Sequence, residues 1–167
     1  MKKLFFYIIS SVIIITAFST KTNKSSYQIQ TPNDDIIAIL NKFHTSFGRR
    51  DTATLKSILT NPGLYCGTDP IEISNDRNFV LDYLMQSYFA DTATVYSVNT
   101  REIQITSDEK SAISVEQFIY PPRSKNFPTR CNIHLVKIKD KWLIDSFVLS
   151  LVISPYDMER INAIMPE

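Results

Sequence analysis

Glycine, histidine and cysteine are all scarce in this chain of 167 residues, which contains three glycines, two histidines and two cysteines. The sequence therefore has no glycine-rich phosphate loop and no cysteine metal cluster. Charge is balanced too, since 18 basic residues against 17 acidic ones give a formal net charge of +1. Beyond the N-terminus neither sign forms a long run, so we expect no nucleic-acid partner. Because the metal and phosphate motifs are missing as well, we also expect no metal and no cofactor.

The first residues carry a targeting pattern. Lys2 and Lys3 precede an apolar stretch over residues 4–18, and Ala17 and Ser19 have the spacing that signal peptidase accepts. We predict a signal peptide over residues 1–19, and hence an exported protein that is periplasmic or secreted. The alternative is an uncleaved membrane anchor over residues 4–18, although a membrane-spanning helix needs about 20 apolar residues. Either way, contact with a membrane would involve the N-terminal segment alone.

The rest of the chain divides into a short linker and one folded domain. Residues 20–32 are rich in Ser, Thr, Asn and Gln and lack periodicity, which predicts a flexible tether. Residues 33–167 are about one domain long, and 44% of the whole chain is hydrophobic. Cys66 and Cys131 would lie in an oxidising compartment, where a disulfide is allowed but not required, because buried free cysteines are also common.

Hydrophobic periodicity predicts helices first and strands afterwards. Apolar residues recur at three- and four-residue steps after Asp34, Gly48 ends this helix, and Asp51 can cap a second helix. Runs of branched and aromatic residues then predict a four-stranded meander, followed by a closing helix that Ser154 can cap. The third helix is predicted over about 76–90, the strands over 94–106, 111–120, 129–139 and 142–153, and the last helix over 155–165. This order indicates an α+β fold.

Three segments, in this order and spacing, resemble the nuclear transport factor 2-like superfamily, and in particular its SnoaL-like branch. They are residues 47–51 between the first two helices, residues 67–70 with Glu72 just after, and residues 142–144 at the start of a strand that ends at Ser150. The resemblance implies a cone-shaped, cystatin-like α+β fold. In it, a strongly curved antiparallel sheet packs around three N-terminal helices, a short C-terminal helix follows, and a pocket opens at one end.

The resemblance does not choose an activity, because the superfamily includes isomerases, dehydratases, cyclases, ligand binders and oligomerisation modules. Many relatives carry two histidines on the last strand where this chain has Ser146 and Val148. We therefore expect a module that binds a small apolar molecule or another protein, and not an enzyme. The alternatives are a pocket enzyme that uses Asp69 as its base, and a structural homo-oligomer. The residues expected to line the pocket are Tyr65, Asp69, Tyr88, Tyr120, Cys131, Trp142, Ser146 and Ser150.

A two-residue hairpin loop before Trp142 would set the register of the last two strands. In that register Ile144, Ser146 and Ser150 share the inner face with Trp142, and also with Cys131, Ile133 and Leu135. His134 and Asp145 then lie together on the outer face, as an ion pair and not as a catalytic dyad. The outer face would also carry Leu143, Phe147, Leu149 and Leu151, which predicts cover by a second copy in a homodimer or by the closing helix. His44 is expected to be a partly buried structural residue, and the face of Glu116 stays open.

Overall fold

A computed structural model describes residues 34–84, 96–121 and 124–165. Its helices are α1 (Asp34–Arg49), α2 (Thr52–Ile58), the π-helical α3 (Phe79–Leu84) and α4 (Pro155–Ile164). Its strands are β1 (Leu59–Cys66), β2 (Ile73–Ser74), β3 (Val98–Ile105), β4 (Ser111–Phe118), β5 (Thr129–Ile138) and β6 (Lys141–Leu151). The predicted signal peptide, the predicted tether, the predicted end of the third helix and Tyr88 lie outside the described residues.

The six strands form one curved sheet in the order β2-β1-β6-β5-β4-β3. Neighbouring strands are antiparallel except β1 and β6, which run parallel. No hairpin joins these two strands, so no tight turn forces them into opposite directions. The predicted α+β fold, with helices ahead of a curved sheet and a short helix at the end, is confirmed, although the sheet is not wholly antiparallel.

The junction between α1 and α2 follows from local chemistry. Asp34 and Asp35 stand in the first turn of α1 and Arg49 in its last, where each charge opposes the helix dipole. Gly48 does not end the helix as the sequence predicted, because the left-handed backbone that follows is that of Arg50, with φ of 58°. The Asp51 carboxylate accepts a hydrogen bond from the Thr54 backbone at 2.9 Å, which caps α2 as predicted.

One hydrophobic core joins α1 and α2 to the inner face of the sheet. Because alternate strand residues point to opposite faces, β4 and β5 each contribute every second side chain to this core. Its fully or almost fully buried members include Ile36, Leu40, Phe43, Leu55, Tyr65, Ile133, Leu135, Ile144 and Phe147. This core fixes which face of each strand points toward α1.

The β5–β6 hairpin begins as predicted and then changes register. Lys139 and Asp140 both have positive φ, which is typical of a two-residue turn between twisted strands. Leu135 then pairs with Ile144, but His134 pairs with Ser146, so Asp145 is the extra residue of a β-bulge. The bulge shifts the alternation of β6 by one residue from this point onward.

Beyond the bulge the predicted faces of β6 are therefore wrong. Trp142 and Ile144 are buried as expected, but Phe147 and Leu149 are also buried in the core. Ser146 and Ser150 pair with His134 and Arg130, on the opposite face of the sheet from Trp142. A bulge adds one residue to one strand only. Beyond Asp145, therefore, the odd-numbered residues of β6 face the core in place of the even-numbered ones.

The closing helix starts where the sequence predicted, with Ser154 capping it through the Asp157 backbone and Pro155 in its first turn. None of its residues is buried, so α4 does not cover the outer face of the sheet in the way the sequence allowed. Within the described ranges, no helix combines the length and the apolar character needed to cross a membrane.

Candidate functional site

A cluster of ionisable side chains lies between α1 and the inner face of the sheet. The carboxylate of Glu116, on β4, has no exposed surface and accepts a hydrogen bond from the His44 imidazole of α1 through Nε2. Arg101, on β3, donates from Nε to the other carboxylate oxygen at 2.5 Å, and Ser114 donates to the same oxygen at 3.1 Å. Three different elements thus converge on one buried carboxylate.

The sheet geometry explains why Glu116 points inward. Along β4, Ser114, Glu116 and Phe118 are buried, whereas Ile113 and Val115, which alternate with them, are exposed on the outer face. This strand therefore reverses the usual distribution, with a carboxylate inside and apolar side chains outside. A buried charge is costly unless it is paired and hydrogen-bonded, and Glu116 is both.

The electrostatics of the cluster favour an ionised Glu116. Burial opposes ionisation, but the hydrogen bond and charge of His44 and the Arg101 guanidinium outweigh it and lower the pKa of Glu116 below its ordinary value. Arg101 is itself anchored, because its Nη1 donates to Oδ1 of Asn41 on α1 at 2.8 Å. The carboxylate is consequently held as an anion in the interior of the domain.

Tyr96 connects the cluster of ionisable side chains to neighbouring aromatic side chains. Its hydroxyl lies 3.0 Å from Nδ1 of His44, so His44 connects Tyr96 to Glu116. Its ring stacks on Phe118 with centroids 4.7 Å apart and meets the edge of Tyr120 at 5.5 Å. Burial raises the pKa of Tyr96 well above its ordinary value, and the nearby Cys131, Tyr120 and Glu116 add to this, so Tyr96 stays a neutral phenol.

The two cysteines are free thiols that lie in different environments. Cys131 is fully buried and stands opposite Glu116 on the neighbouring strand. Burial, reinforced by the Glu116 charge, raises the pKa of the Cys131 thiol well above its ordinary value. Cys66 is only partly buried, at the end of β1. The possible disulfide is therefore not formed, and Cys131 borders the cluster as a neutral thiol.

Asp69, the predicted candidate base, has a local structural role. Its side chain is exposed, and its Oδ1 accepts a hydrogen bond from the Ile71 backbone at 3.1 Å. This is the ordinary turn chemistry of an aspartate. The same turn buries Glu72, whose carboxylate accepts from the Asp69 backbone at 3.0 Å and lies so close to Gly67 that any Cβ there would overlap it.

Two further residues expected to line a pocket lie in other parts of the core. Tyr65 is buried, packs against Phe147 with centroids 5.3 Å apart, and donates its hydroxyl hydrogen to the Thr60 carbonyl at 2.6 Å. Gly63 permits this arrangement, because a Cβ there would overlap the Tyr65 hydroxyl. Trp142 stands at the hairpin end of β6 and pairs with Lys137, which lies six residues along β5 from Cys131, or roughly 20 Å of strand.

Trp142 lines an open cleft of about 520 Å³ between α1, α2 and the β5–β6 hairpin. Its indole N–H has no hydrogen-bond partner among the described residues, and the Lys137 ammonium lies 5.7 Å from its ring centroid. The other lining residues are Asp35, Ala38, Ile39, Lys42, Ser57, Ile58, Asp140, Lys141 and Leu143. The predicted pocket residues therefore lie in separate regions of the domain. Two of them, Tyr120 and Cys131, adjoin the buried cluster.

His134 and Asp145 form the outer-face pair that the sequence predicted. Nδ1 of His134 lies 2.6 Å from Oδ1 of Asp145, and both side chains are partly exposed. The bulge brings Asp145 next to His134, since the extra residue stands beside Ser146 opposite the histidine. Within the described ranges, no three His, Cys, Asp or Glu side chains are grouped in a way that could hold a metal ion.

Sequence reasoning did not find the His44–Glu116–Tyr96 connection. His44 was expected to be structural, the face of Glu116 was left open, and Tyr96 belonged to no recognised motif. In the sequence Glu116 alternates with Ser114 and Phe118, while the residues between them are Val115 and Gln117. This alternation does not show which of the two faces lies inside, so it could not locate the site.

A family model described as a SnoaL-like domain matches residues 36–154, which is more than half of the chain. The chain therefore belongs to the SnoaL-like family, within the nuclear transport factor 2-like superfamily. No curated protein matches the sequence.

Solved structures share this fold. A protein with a cystatin-like fold from Caulobacter vibrioides aligns with a TM-score of 0.60 at 14% identity, covering 78% of this chain and 95% of that one. An NTF2-like protein from Cytophaga hutchinsonii aligns with a TM-score of 0.59 at 12% identity, covering 74% and 100%. A protein from Shewanella frigidimarina, provisionally named a ketosteroid isomerase, gives 0.56 at 18%, covering 68% and 92%. At such low identities the likeness shows the fold alone.

Proposed function

We propose that this domain binds a small, mostly apolar molecule that carries one polar group, in the interior between α1 and the sheet. The observation that carries the proposal is the fully buried Glu116 carboxylate, which is held between His44 and Arg101. Buried ion pairs add little net stability compared with apolar packing, and perturbed ionisable groups cluster at functional sites. A ligand-binding role accounts for a polar cluster that packing alone does not require.

Tyr96 is the group through which the cluster would meet a ligand. Its ring packs with Phe118 and Tyr120, which supply the apolar faces that suit a flat molecule. Its hydroxyl is the polar tip at the end of the chain from Glu116 through His44. Apolar walls with a few fixed polar groups are the usual composition of a small-molecule site.

The test compares two flat probes, 2-naphthol and naphthalene, for binding to the purified protein by fluorescence titration. We expect 2-naphthol to bind about fivefold more tightly, because one hydrogen bond contributes about 1 kcal/mol. Tyr96→Phe should remove that preference and leave naphthalene binding unchanged. Tyr156→Phe is the matched control, since that tyrosine is exposed on α4. The absence of binding, or a preference that survives in Tyr96→Phe, would contradict the proposal.

A second candidate function is proton-transfer catalysis, and the continuous chain from Tyr96 through His44 to Glu116 favours it. A carboxylate that orients an imidazole, which in turn contacts a hydroxyl, is an arrangement suited to general acid–base chemistry. Hydrogen–deuterium exchange at the carbon next to the carbonyl of 2-tetralone, followed by NMR, tests this chemistry. Exchange that depends on His44 and survives Asp69→Asn would support it. Exchange that needs Asp69 instead would favour the base proposed from sequence.

The outer face of the sheet supports a further proposal, namely that two copies associate through it. Leu64 and Ile113 are 49% and 48% exposed, Val115 is also exposed, and α4 leaves this face uncovered. Exposed apolar patches of this kind often mark association sites. Light scattering should give the mass of a homodimer, and Ile113→Glu with Val115→Lys should give a monomer. A monomeric wild type would rule this out, and with it the purely structural oligomer.

Export also stays a proposal, supported by the sequence pattern of residues 1–19. N-terminal sequencing of the protein recovered from its producing cells distinguishes the two alternatives. A new N-terminus at Thr20 would support cleavage and export. An intact Met1 in the membrane fraction would favour an anchor over residues 4–18.

A further inference from the structure

The open cleft beside the β5–β6 hairpin is separate from the buried cluster around Glu116. Its lining combines the buried side chains of Ile39, Ile58 and Trp142 with exposed polar ones. Its volume of about 520 Å³ falls in the range of about 300 to 1,000 Å³ that is usual for small-molecule sites. The cleft is therefore large enough to hold a ligand of its own.

Trp142 contributes an unpaired hydrogen-bond donor to this lining. The residue is 7% exposed, and its buried indole N–H has no hydrogen-bond partner among the described residues. An indole N–H can donate but cannot accept. Most buried polar groups in folded proteins have a partner, because an unpaired one loses its hydration without compensation. The N–H therefore calls for an acceptor that the described part of the chain does not supply.

Lys137 is the cation nearest to the Trp142 ring, but it cannot be that acceptor. Its ammonium lies 5.7 Å from the ring centroid. An ammonium carries three donors and no acceptor, so the contact is an attraction between a cation and the face of an aromatic ring. The hydrogen-bonding requirement of the indole is not met by this contact.

The charges around the cleft balance. Lys42 and Lys141 are positive, and Asp35 and Asp140 are negative. All four side chains are exposed, where salt screens their charges. The lining consequently favours neither an anion nor a cation, whereas its buried part is apolar and ends in a free donor.

We propose that the cleft is a second ligand site, which takes a neutral, mostly apolar molecule whose acceptor oxygen receives the hydrogen bond of the Trp142 indole. Ile39, Ile58 and the indole ring supply the apolar contact, and a carbonyl or ether oxygen supplies the missing acceptor. This site requires Trp142 and not Tyr96, so it does not depend on the proposed binding function in the interior.

The first experiment uses the indole N–H itself as the reporter. Trp142 is the single tryptophan of the chain, so a ¹H–¹⁵N spectrum of the labelled protein contains one indole signal. Titration with 1-indanone and with indane compares two probes of the same ring skeleton, of which the ketone has an acceptor. We expect 1-indanone to bind about fivefold more tightly, since one hydrogen bond contributes about 1 kcal/mol, and to move the indole proton downfield. A signal that responds to neither probe, or equally to both, would overturn the proposal.

A third probe, indane-1-carboxylate, tests the charge of the occupant. We expect this anion to bind no more tightly than 1-indanone, because the charges around the cleft cancel. Tighter binding of the anion would show that Lys42 and Lys141 dominate the site, and would contradict a neutral occupant.

Variants locate the bound probe. Ala38→Phe should fill the cleft and weaken binding of 1-indanone at least tenfold, since Ala38 is an exposed lining residue on α1. Ala53→Phe is the matched control, because Ala53 is exposed on α2 and does not line the cleft. Circular dichroism confirms that both variants fold. Undiminished binding in a folded Ala38→Phe would overturn the proposal.

Tyr96→Phe separates this site from the interior one. We expect the variant to bind 1-indanone as tightly as wild type, with the same shift of the indole signal. Loss of 1-indanone binding in Tyr96→Phe would place the probe beside the buried cluster and overturn the assignment to the cleft.

Discussion

The His44 imidazole on α1 and the Glu116 carboxylate on β4, 72 residues apart in sequence, are hydrogen-bonded to each other in the interior of the domain. Both side chains are buried, and Arg101 completes the pair from a third element. The contact connects the helical layer to the sheet through charges as well as apolar packing. It is therefore a place where stability depends on pH.

Removing the charge of Glu116 should destabilise the fold. Glu116→Gln leaves Arg101 without its counterion in a partly buried position, and breaking such a pair by removing one partner costs about 3 kcal/mol. Urea unfolding followed by circular dichroism measures the change. Glu102→Gln is the matched control, since Glu102 is the exposed neighbour of Arg101 on β3. Equal stability of the two variants would show that the cluster contributes nothing to the fold.

The stability of the protein should also depend on pH through Glu116. Its pKa in the folded state lies below the ordinary value of 4.5, so the folded state holds this proton less tightly than the unfolded chain. The contribution is fully present above the ordinary pKa and is lost as pH falls through the lower, folded value. The stability difference between wild type and Glu116→Gln should accordingly be constant above about pH 4.5 and shrink as pH falls below it. A difference that stayed constant below that pH as well would contradict this.

Local signals were enough to predict the order of the elements. Asp51 and Ser154 cap their helices as the sequence indicated, and the Lys139–Asp140 turn fixes the start of the last hairpin. The bulge at Asp145 could not be predicted, because nothing local distinguishes it. It is decided by packing, since the shifted register allows both Phe147 and Leu149 to enter the core.

The candidate site was harder to predict than the fold for a related reason. A contact between His44 and Glu116 depends on the curvature of the sheet and on which face of β4 meets α1. Spacing along the sequence carries no information on either. The likeness to the family directed attention to the last strand and to Asp69, whereas in this chain the buried polar residues come from α1, β3 and β4.

Because of the bulge, two adjacent residues of β6 should contribute very differently to the stability of the fold. Phe147→Ala should cost about 3–5 kcal/mol, because the side chain is fully buried against Phe43 and Tyr65. Val148→Ala should cost about 1 kcal/mol or less, since Val148 faces the outer side of the sheet. Thermal or urea unfolding of the two variants gives the comparison. If Val148→Ala destabilised the fold more than Phe147→Ala, the bulge would be contradicted and the register without it supported.

The His134–Asp145 pair should matter little to stability. Both side chains are partly exposed, and ion pairs in such positions contribute about 1 kcal/mol at most. We expect Asp145→Asn to change the free energy of unfolding by no more than that amount and to leave binding of 2-naphthol unchanged. A large loss of 2-naphthol binding in this variant would contradict the proposed interior site and indicate that the ligand binds at the outer face.

The two thiols should differ in reactivity in the native protein. Cys131 has no exposed surface and burial raises the pKa of its thiol, whereas Cys66 is only partly buried. Burial raises the pKa of the Cys66 thiol too, but this thiol is accessible, so 5,5′-dithiobis(2-nitrobenzoate) should react with Cys66 in the native protein and with Cys131 only after unfolding in urea. Cys66→Ser is the control that should abolish the fast reaction. A native protein with no reactive thiol, and none after unfolding without reductant, would instead show that the two cysteines had formed a disulfide.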